Sequence, residues 1–552
     1  MYQPLPVGAR GEIGLSSGPY RRSTSPPLVV LVPAILVGLG MLLPLAYLVI
    51  RSAGATDDTW DILFRWRTAY TVGRTALLVL TVTASSVAIA LPLAWLTVRT
   101  DLPLRRMWAV VTVLPLVIPS FIGAFLFVSA LGPKGILQQL LSGPFGVDRL
   151  PEIYGLPGAT LTLALLTYPY VLLTVRGALR NLDPATEETA RSLGYGAWST
   201  VLRVMLPQLR PAIGTGCVLV GLYTLSDFGA VSLMRYPTFT WVIFQQYETA
   251  FDRSIAAVFS LILVAMAVGI LFVEGYTRGR RRYYRTGAGA ARPARPVRLG
   301  RWKWPAVLLC TAVSLMSLGL PMAILANWLV RGVMSGEPLL LLWSETWNSL
   351  FVSGLAALAA ALFSIPVAVL VVRYPGMTSR LLERVSFTGY ALPGVVVALA
   401  LVFFGANFAP IVYQTAWLLV FACVVLYFPA ALGATRTSLL QISPRLEEAA
   451  RGLGSSPRHV LRAITIPLVG PGVLMGAALV FLITMKELPA TLILGPLGFK
   501  TLATAVWSAS SEAFFARAAA PALMLILMSS VPMALLVMRE RQPTHVGERR
   551  MG

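Results

Sequence analysis

Two carboxylates stand inside apolar sequence where charge is costly: Asp227 in LSDFGAVSL and Glu487 in MKELPATLI, with Lys486 beside the second. An ionised group at membrane depth costs about 2.5–3.5 kcal/mol on insertion scales unless it faces a cavity or a partner. A facing pair of acids lines a path for a cation, and Lys486 belongs to the same stretch. The alternative is a structural role, with the acids paired to Lys486 or Arg235. Lys486 and Glu487 are sequence neighbours, so on a helix they point to different faces. No Tyr/His cluster lies in the apolar runs at metal-ligand spacing. His459 and His545 are far apart, and Cys217, Cys310 and Cys423 stand singly in apolar runs. Neither a metal site nor a disulfide is expected, and no cofactor-binding or catalytic residue is identified.

A second set of residues recurs at the same spacing. EETARSLG occupies 187–194 and EEAARGLG occupies 447–454, so Glu188, Ala190 and Gly194 recur 260 residues later as Glu448, Ala450 and Gly454. Pro184 and Pro444 suit a helix start, where the missing N–H costs nothing. The glutamates then fall in the first turn, favoured by the helix dipole. Small residues follow (Thr189, Ala190; Ala449, Ala450), and Gly194 and Gly454 permit a sharp exit. A short helix with small side chains admits close approach by another protein surface. One such segment is also what an ordinary connector looks like; two at one topological position are not.

The elements that hold these residues are set by composition. Of 552 residues 57% are hydrophobic and 12% are charged, about half the charged share of soluble domains. Apolar runs of about 20 residues span the hydrocarbon layer as helices that satisfy their own backbone. Such runs occur at 28–50, 76–98, 107–131, 158–175, 212–234 and 254–274, then at 304–330, 349–372, 386–406, 413–434, 472–495 and 519–538. The expected chain is therefore an all-α membrane protein of twelve transmembrane helices. It divides into a tail 1–27, a first half 28–274, a basic linker 275–303, a second half 304–538 and a tail 539–552. The run at 28–50 follows a mostly polar stretch with no small-residue cleavage site after it, and is read as a retained span.

The net charge of +22 would suggest nucleic acid in a soluble protein. Here the basic clusters fall in alternate loops, including 176–210, the linker and 436–462, which places both termini and the linker in the cytoplasm. The opposite loops are mixed in sign, as at Asp57, Asp58, Asp61, Arg65 and Arg67. The 260-residue offset also relates Pro169 to Pro429, Arg176 to Arg436, Pro207 to Pro467 and Pro211 to Pro471. Upstream it widens to 274, relating Pro92 to Pro366, Arg99 to Arg373 and Pro119 to Pro393, so the first half carries about 14 extra residues near 132–157. Six spans per half give both halves one orientation, as parallel repeats about an axis along the membrane normal.

The pattern E-[AT]-A-x-x-x-G followed by [LI]-P-x-x-x-P resembles the EAA loop of binding-protein-dependent ABC importer permeases. It runs Glu188-Thr189-Ala190…Gly194…Leu206-Pro207…Pro211 within 176–211, and Glu448-Ala449-Ala450…Gly454…Ile466-Pro467…Pro471 within 435–471. Thr189 departs from the usual alanine but is still small. The resemblance covers both halves and implies the type I ABC importer permease fold in a bacterial plasma (inner) membrane. It implies two cytoplasmic ABC ATPase subunits, taken as a homodimer, an external substrate-binding protein and surrounding lipids as partners, with no nucleic acid. ATP would be used by the partner subunits, this chain binding none. Glu188, Thr189, Ala190, Gly194 and Pro207, with Glu448, Ala449, Ala450, Gly454 and Pro467, would couple hydrolysis to alternating access.

Finer pieces, Lys486-Glu487-Leu488-Pro489, Thr491-Leu492, Thr501-Leu502-Ala503 and Asp227-Phe228-Gly229, resemble the ferric-iron branch of these permeases. Sister branches for thiamine, aminophosphonates, polyamines and sulfate share the scaffold. An ion-coupled secondary transporter with 6+6 repeats is the rival from another class. It would have no use for paired docking loops, and 99–106 lacks that family's G-x-x-x-D-[RK]-x-G pattern. The run 495–501 resembles a phosphate loop but has Phe499 between glycine and lysine, so no ATP site is expected here.

Overall fold

In a computed structural model, residues 26–540 are described apart from 54–60, 62–63, 134, 147–150, 183, 250–253, 278–295, 337–341, 444–445, 447–448, 451, 461–462 and 465. Glu447, Glu448, Pro444, Asp57, Asp58 and most of the linker and of both tails lie outside the described residues.

Among the described residues, eleven helices are long and apolar enough to cross a membrane, or twelve if one bent pair forms a single span. The first half contains α1 (Leu28–Ala53), α2 (Trp66–Arg99), α3 (Ser120–Leu131), α4 (Leu156–Asn181), α5 (Pro184–Ser192), α6 (Leu206–Ser226), α7 (Gly229–Leu233), α8 (Phe239–Thr249) and α9 (Ser254–Thr277). The second contains α10 (Lys303–Ser314), which runs through a π turn into α11 (Leu320–Met334), then α12 (Trp343–Arg373), α13 (Met377–Ser386), α14 (Gly394–Phe408) and α15 (Ala416–Leu440). It ends with α16 (Ile466–Met485), α17 (Pro489–Leu494), α18 (Leu502–Ser511) and α19 (Phe515–Glu540). Large apolar side chains on the outer faces are widely exposed, as at Leu28, Phe272, Leu308 and Val531; lipid is the solvent that makes this stable.

Each half is built on three tightly packed helices, α2/α4/α6 and α12/α15/α16. Close approach comes from matched glycines. A Cβ on Gly216 would lie 2.7 Å from the Val171 Cα, and one on Gly476 would lie 2.9 Å from the Ala431 Cα. Buried hydroxyls add links between the same helices, Ser86 to Thr167 at 3.2 Å and Ser364 to Thr435 at 2.8 Å, the usual glue of membrane bundles.

Two pairs of expected spans are broken. The runs 107–131 and 386–406 are not continuous helices: Pro119 and Pro393 stand before α3 and α14 with φ −60° and −62°. The preceding Ile118 and Leu392 are extended, as a following proline requires. The bend between the two pieces in the second half is 108°. The runs 212–234 and 472–495 likewise stop at Asp227 and Glu487 and resume as the one- to two-turn helices α7 and α17.

The halves are interleaved. α1 packs against α12, α13 and α14 of the second half, while α10 and α11 pack against α2 and α3 of the first. Trp328 of α11 donates to Ser129 of α3. At its described end the linker pairs with the segment after α2: Val297 N donates to Arg99 O at 2.7 Å and Asp101 N to Val297 O at 3.1 Å. Asp101 then accepts from Leu299 N at 2.9 Å and faces Lys303 at 3.9 Å.

Candidate substrate pathway and coupling site

The breaks in the fifth spans position the two acids. Where α6 and α16 stop, the amides of the next short helix need acceptors, and the carboxylates supply them. Asp227 Oδ1 accepts from Ala230 N at 2.9 Å and Val231 N at 3.3 Å. Glu487 Oε1 accepts from Ala490 N at 3.0 Å. The main-chain carbonyls of both acids accept threonine hydroxyls, Thr240 at 2.6 Å and Thr491 at 3.0 Å. Each acid is therefore a cap, with 7% and 8% of its surface accessible.

The two sites use different means to reach one geometry. The Ser120 hydroxyl, first in α3, hydrogen bonds with Asp227 and with Tyr223. Its counterpart first in α14 is Gly394, where a Cβ would lie 2.6 Å from Glu487 Oε1. The longer glutamate fills the space that serine occupies in the other half. Glu487 Oε2 accepts from the Tyr427 hydroxyl of α15.

The halves meet at this level. A Cβ on Gly229 would lie 3.3 Å from Leu488 Cδ2, and the Phe228 and Trp507 rings are 5.2 Å apart. Neither expected cation partner reaches the acids. Lys486 Nζ crosses the seam to donate to Leu116 O at 2.6 Å, and the Arg235 guanidinium lies over the Tyr154 ring at 4.6 Å. Among the described residues no ion pair joins either cation to Asp227 or Glu487. Tyrosines distant in sequence come together here: Tyr170 and Tyr223 have ring centroids 5.9 Å apart, and Tyr427 donates to Glu487. Tyr170, Tyr223 and Tyr427 stand 53 (223 − 170) and 204 (427 − 223) residues apart in sequence, which spacing rules cannot join.

The first of the two repeated segments lies on the linker side, since Arg99 contacts both the linker at Val297 and α5. Arg99, 4% accessible, pairs with Glu187 at 3.6 Å. Gly194 and Gly454 have φ +86° and +85°. Tyr195 N donates to Ala190 O at 3.1 Å and Ser455 N to Ala450 O at 3.0 Å, the six-to-one bond of a Schellman turn at both sites. The residue before each glycine is an outward leucine, Leu193 at 73% and Leu453 at 87% accessible. Glu188 and Thr189 are exposed, Ala190 is buried, Ala449 is exposed and Ala450 half-buried. Glu448 lies outside the described residues. Pro207 and Pro467 occupy the first turns of α6 and α16. Sequence reasoning passed over Leu193, Leu453 and the Arg99 anchor, although the pairing of Arg99 with Arg373 at the 274 offset pointed to the last.

A profile of the family described as "Binding-protein-dependent transport system inner membrane component" matches residues 86–279 and again 360–542. The chain is 35% identical over 516 residues to the Fe(3+)-transport system permease protein FbpB 2 of Haemophilus influenzae, covering 93% of this chain and 98% of that one. It is 23% identical to the ferric transport system permease protein FbpB of Actinobacillus pleuropneumoniae, over 69% of this chain and 58% of that one. It is 30% identical to the molybdenum transport system permease protein ModB of Escherichia coli, over 36% of this chain and 90% of that one. With matched halves, matched turns and two profile matches, the chain belongs to the binding-protein-dependent transport system inner membrane component family, as a multi-pass transport subunit that carries the unit twice.

Proposed function

We propose that this chain is the membrane path of an ATP-driven importer for ferric iron, loaded by an external binding protein and working by alternating access. The carrying observation is the pairing of two equivalent acids at the seam with two equivalent docking turns. Asp227 and Glu487, with Lys486 on the neighbouring turn, line the path. The turns at Gly194 and Gly454 present Leu193 and Leu453, with the residues 188–190 and 448–450, to two copies of a cytoplasmic ATPase. Closure of those copies draws the docking helices together, and rocking of the halves opens the seam alternately to each side. Both termini and the linker face the cytoplasm, where the basic loops collect. The 35% relative over nearly the full chain supports iron as cargo. The acid pair supports a cation over an oxyanion such as molybdate.

The test is ATPase activity and uptake by the reconstituted complex with its binding protein, given ferric iron, molybdate and thiamine in turn. Stimulation by iron alone is expected. Stimulation by another cargo overturns the iron assignment and leaves the importer. An absence of any associated ATPase overturns the importer itself.

A further inference from the structure

The surroundings of the acids hold more oxygen chemistry than two helix caps need. Tyr223 stands beside Asp227, through their shared Ser120, and is within electrostatic reach of Glu487 of the other half. Tyr427 donates to Glu487 and is within electrostatic reach of Tyr223. Tyr170 packs on Tyr223 and is within electrostatic reach of Tyr390. Tyr170, Tyr223 and Tyr427 pack against the core between the helices and keep part of their surface accessible. One residue after Tyr223, and at the equivalent place in α16, Thr224 and Thr484 are 2% and 5% accessible and their hydroxyls have no hydrogen-bond partner. Unsatisfied buried hydroxyls are costly and call for an explanation. The two stand at equivalent positions, each three residues before an acid.

We propose that Tyr223 and Tyr427, with Asp227 and Glu487, form a transient ferric-ion site across the seam, a ring of hard oxygen donors drawn from both halves. The proposal rests on the iron reading above. Charge supports it: two carboxylates and one of the two tyrosines as phenolate carry three negative charges, the complement of Fe3+, the second tyrosine binding as a neutral phenol. Coordination by a phenol oxygen forms an iron–oxygen bond and breaks the O–H bond. The proton leaves to water at the accessible face of the cluster, and no electron is transferred. Lys486 does not compete, because its ammonium is held on the Leu116 carbonyl. The one thiol nearby, Cys423, is fully buried, and the described residues contain no group of three His, Cys, Asp or Glu side chains able to hold a metal. The tyrosines come from α6 of one half and α15 of the other and the acids from the span breaks, so relative movement of the halves changes the ligand set. That is what a passing site requires: tight enough to admit the ion, loose enough to release it.

The experiment uses the full chain with its ATPase and binding protein in nanodiscs, and ferric nitrilotriacetate as the probe. A visible phenolate-to-iron charge-transfer band should appear in the wild type. Tyr223→Phe with Tyr427→Phe keeps both rings and should abolish the band and lower iron-stimulated flux by about tenfold or more, the scale of losing a metal-ordering partner. Tyr390→Phe, at the exposed edge of the cluster, should retain the band. If iron-loaded binding protein stimulates the ATPase but no band forms, or the double variant keeps both band and flux, the proposal is overturned and the iron importer stands. If the wild type responds to another cargo and not to iron, both readings fall together.

Discussion

Asp227 and Glu487 cap helices, and on the proposed reading they also line the path; different substitutions separate the two roles. Asparagine and glutamine retain an acceptor oxygen for the cap but lose the charge. Asp227→Asn with Glu487→Gln should therefore insert and fold normally while cation flux drops, as read by uptake into proteoliposomes; unaltered flux would leave the acids as caps only. Asp227→Ala loses the cap as well and should cost about 1 kcal/mol of stability, the usual worth of such an oxygen, seen as earlier thermal unfolding in detergent. The exchange of Asp227–Ser120 for Glu487–Gly394 offers a sharper test. Gly394→Ser alone puts atoms where Glu487 Oε1 lies and should destabilise. Gly394→Ser with Glu487→Asp rebuilds the first half's arrangement and should recover most of the loss. The expected coupling is about 0.5–3 kcal/mol, the range for residues in contact, measured by a double-mutant cycle on thermal stability.

At the scale of the element, α5 and the repeated turn at Gly454 are defined by how they end. Gly194 and Gly454 sit in left-handed backbone, which costs a side-chain-bearing residue about 1–2 kcal/mol. Gly194→Val and Gly454→Val should leave the spans inserted and weaken ATPase retention, visible as loss of co-purification and of cargo-stimulated hydrolysis. Leu193→Ala with Leu453→Ala should give the same loss with no strain at all, which separates the docking surface from the turn that presents it. These helices were legible because Pro, Glu, Ala and Gly each carry a local signal and the signals recur. The broken fifth spans were not legible as breaks. Hydropathy sees LSDFGAVSL and MKELPATLI as apolar sequence interrupted by one and two charged residues, and only the backbone shows that the acid ends one helix and caps the next.

For the whole molecule, interleaving decides what can be separated. α1 lies on the second half and α10–α11 on the first, so neither half has its complete set of neighbours alone. Co-expression of the chain cut within 278–295 should give two fragments that co-purify as a transport-competent complex, because the cut falls between α9 and the strand pairing at Val297. Expression of the first half by itself should give a product with markedly lower yield and stability, since the face of α1 that meets α12, α13 and α14 is left open. Normal behaviour of the isolated half, in a thermal melt or by size-exclusion profile, would contradict the exchange of first spans.

Composition, hydropathy and a repeat at 260 and 274 residues were enough to determine an all-α membrane protein of two parallel halves with a glycine-ended turn in each, because lipid forces long apolar helices and local residue types dictate caps and turns. The tertiary structure alone decided that Tyr170, Tyr223 and Tyr427 gather at the acids, that Ser120 is answered by Gly394, and that Lys486 reaches Leu116 and not Glu487. Those contacts depend on where helices from opposite halves cross. The positions that cross share no period or spacing in the chain, and packing between the halves is the physical step that brings them together.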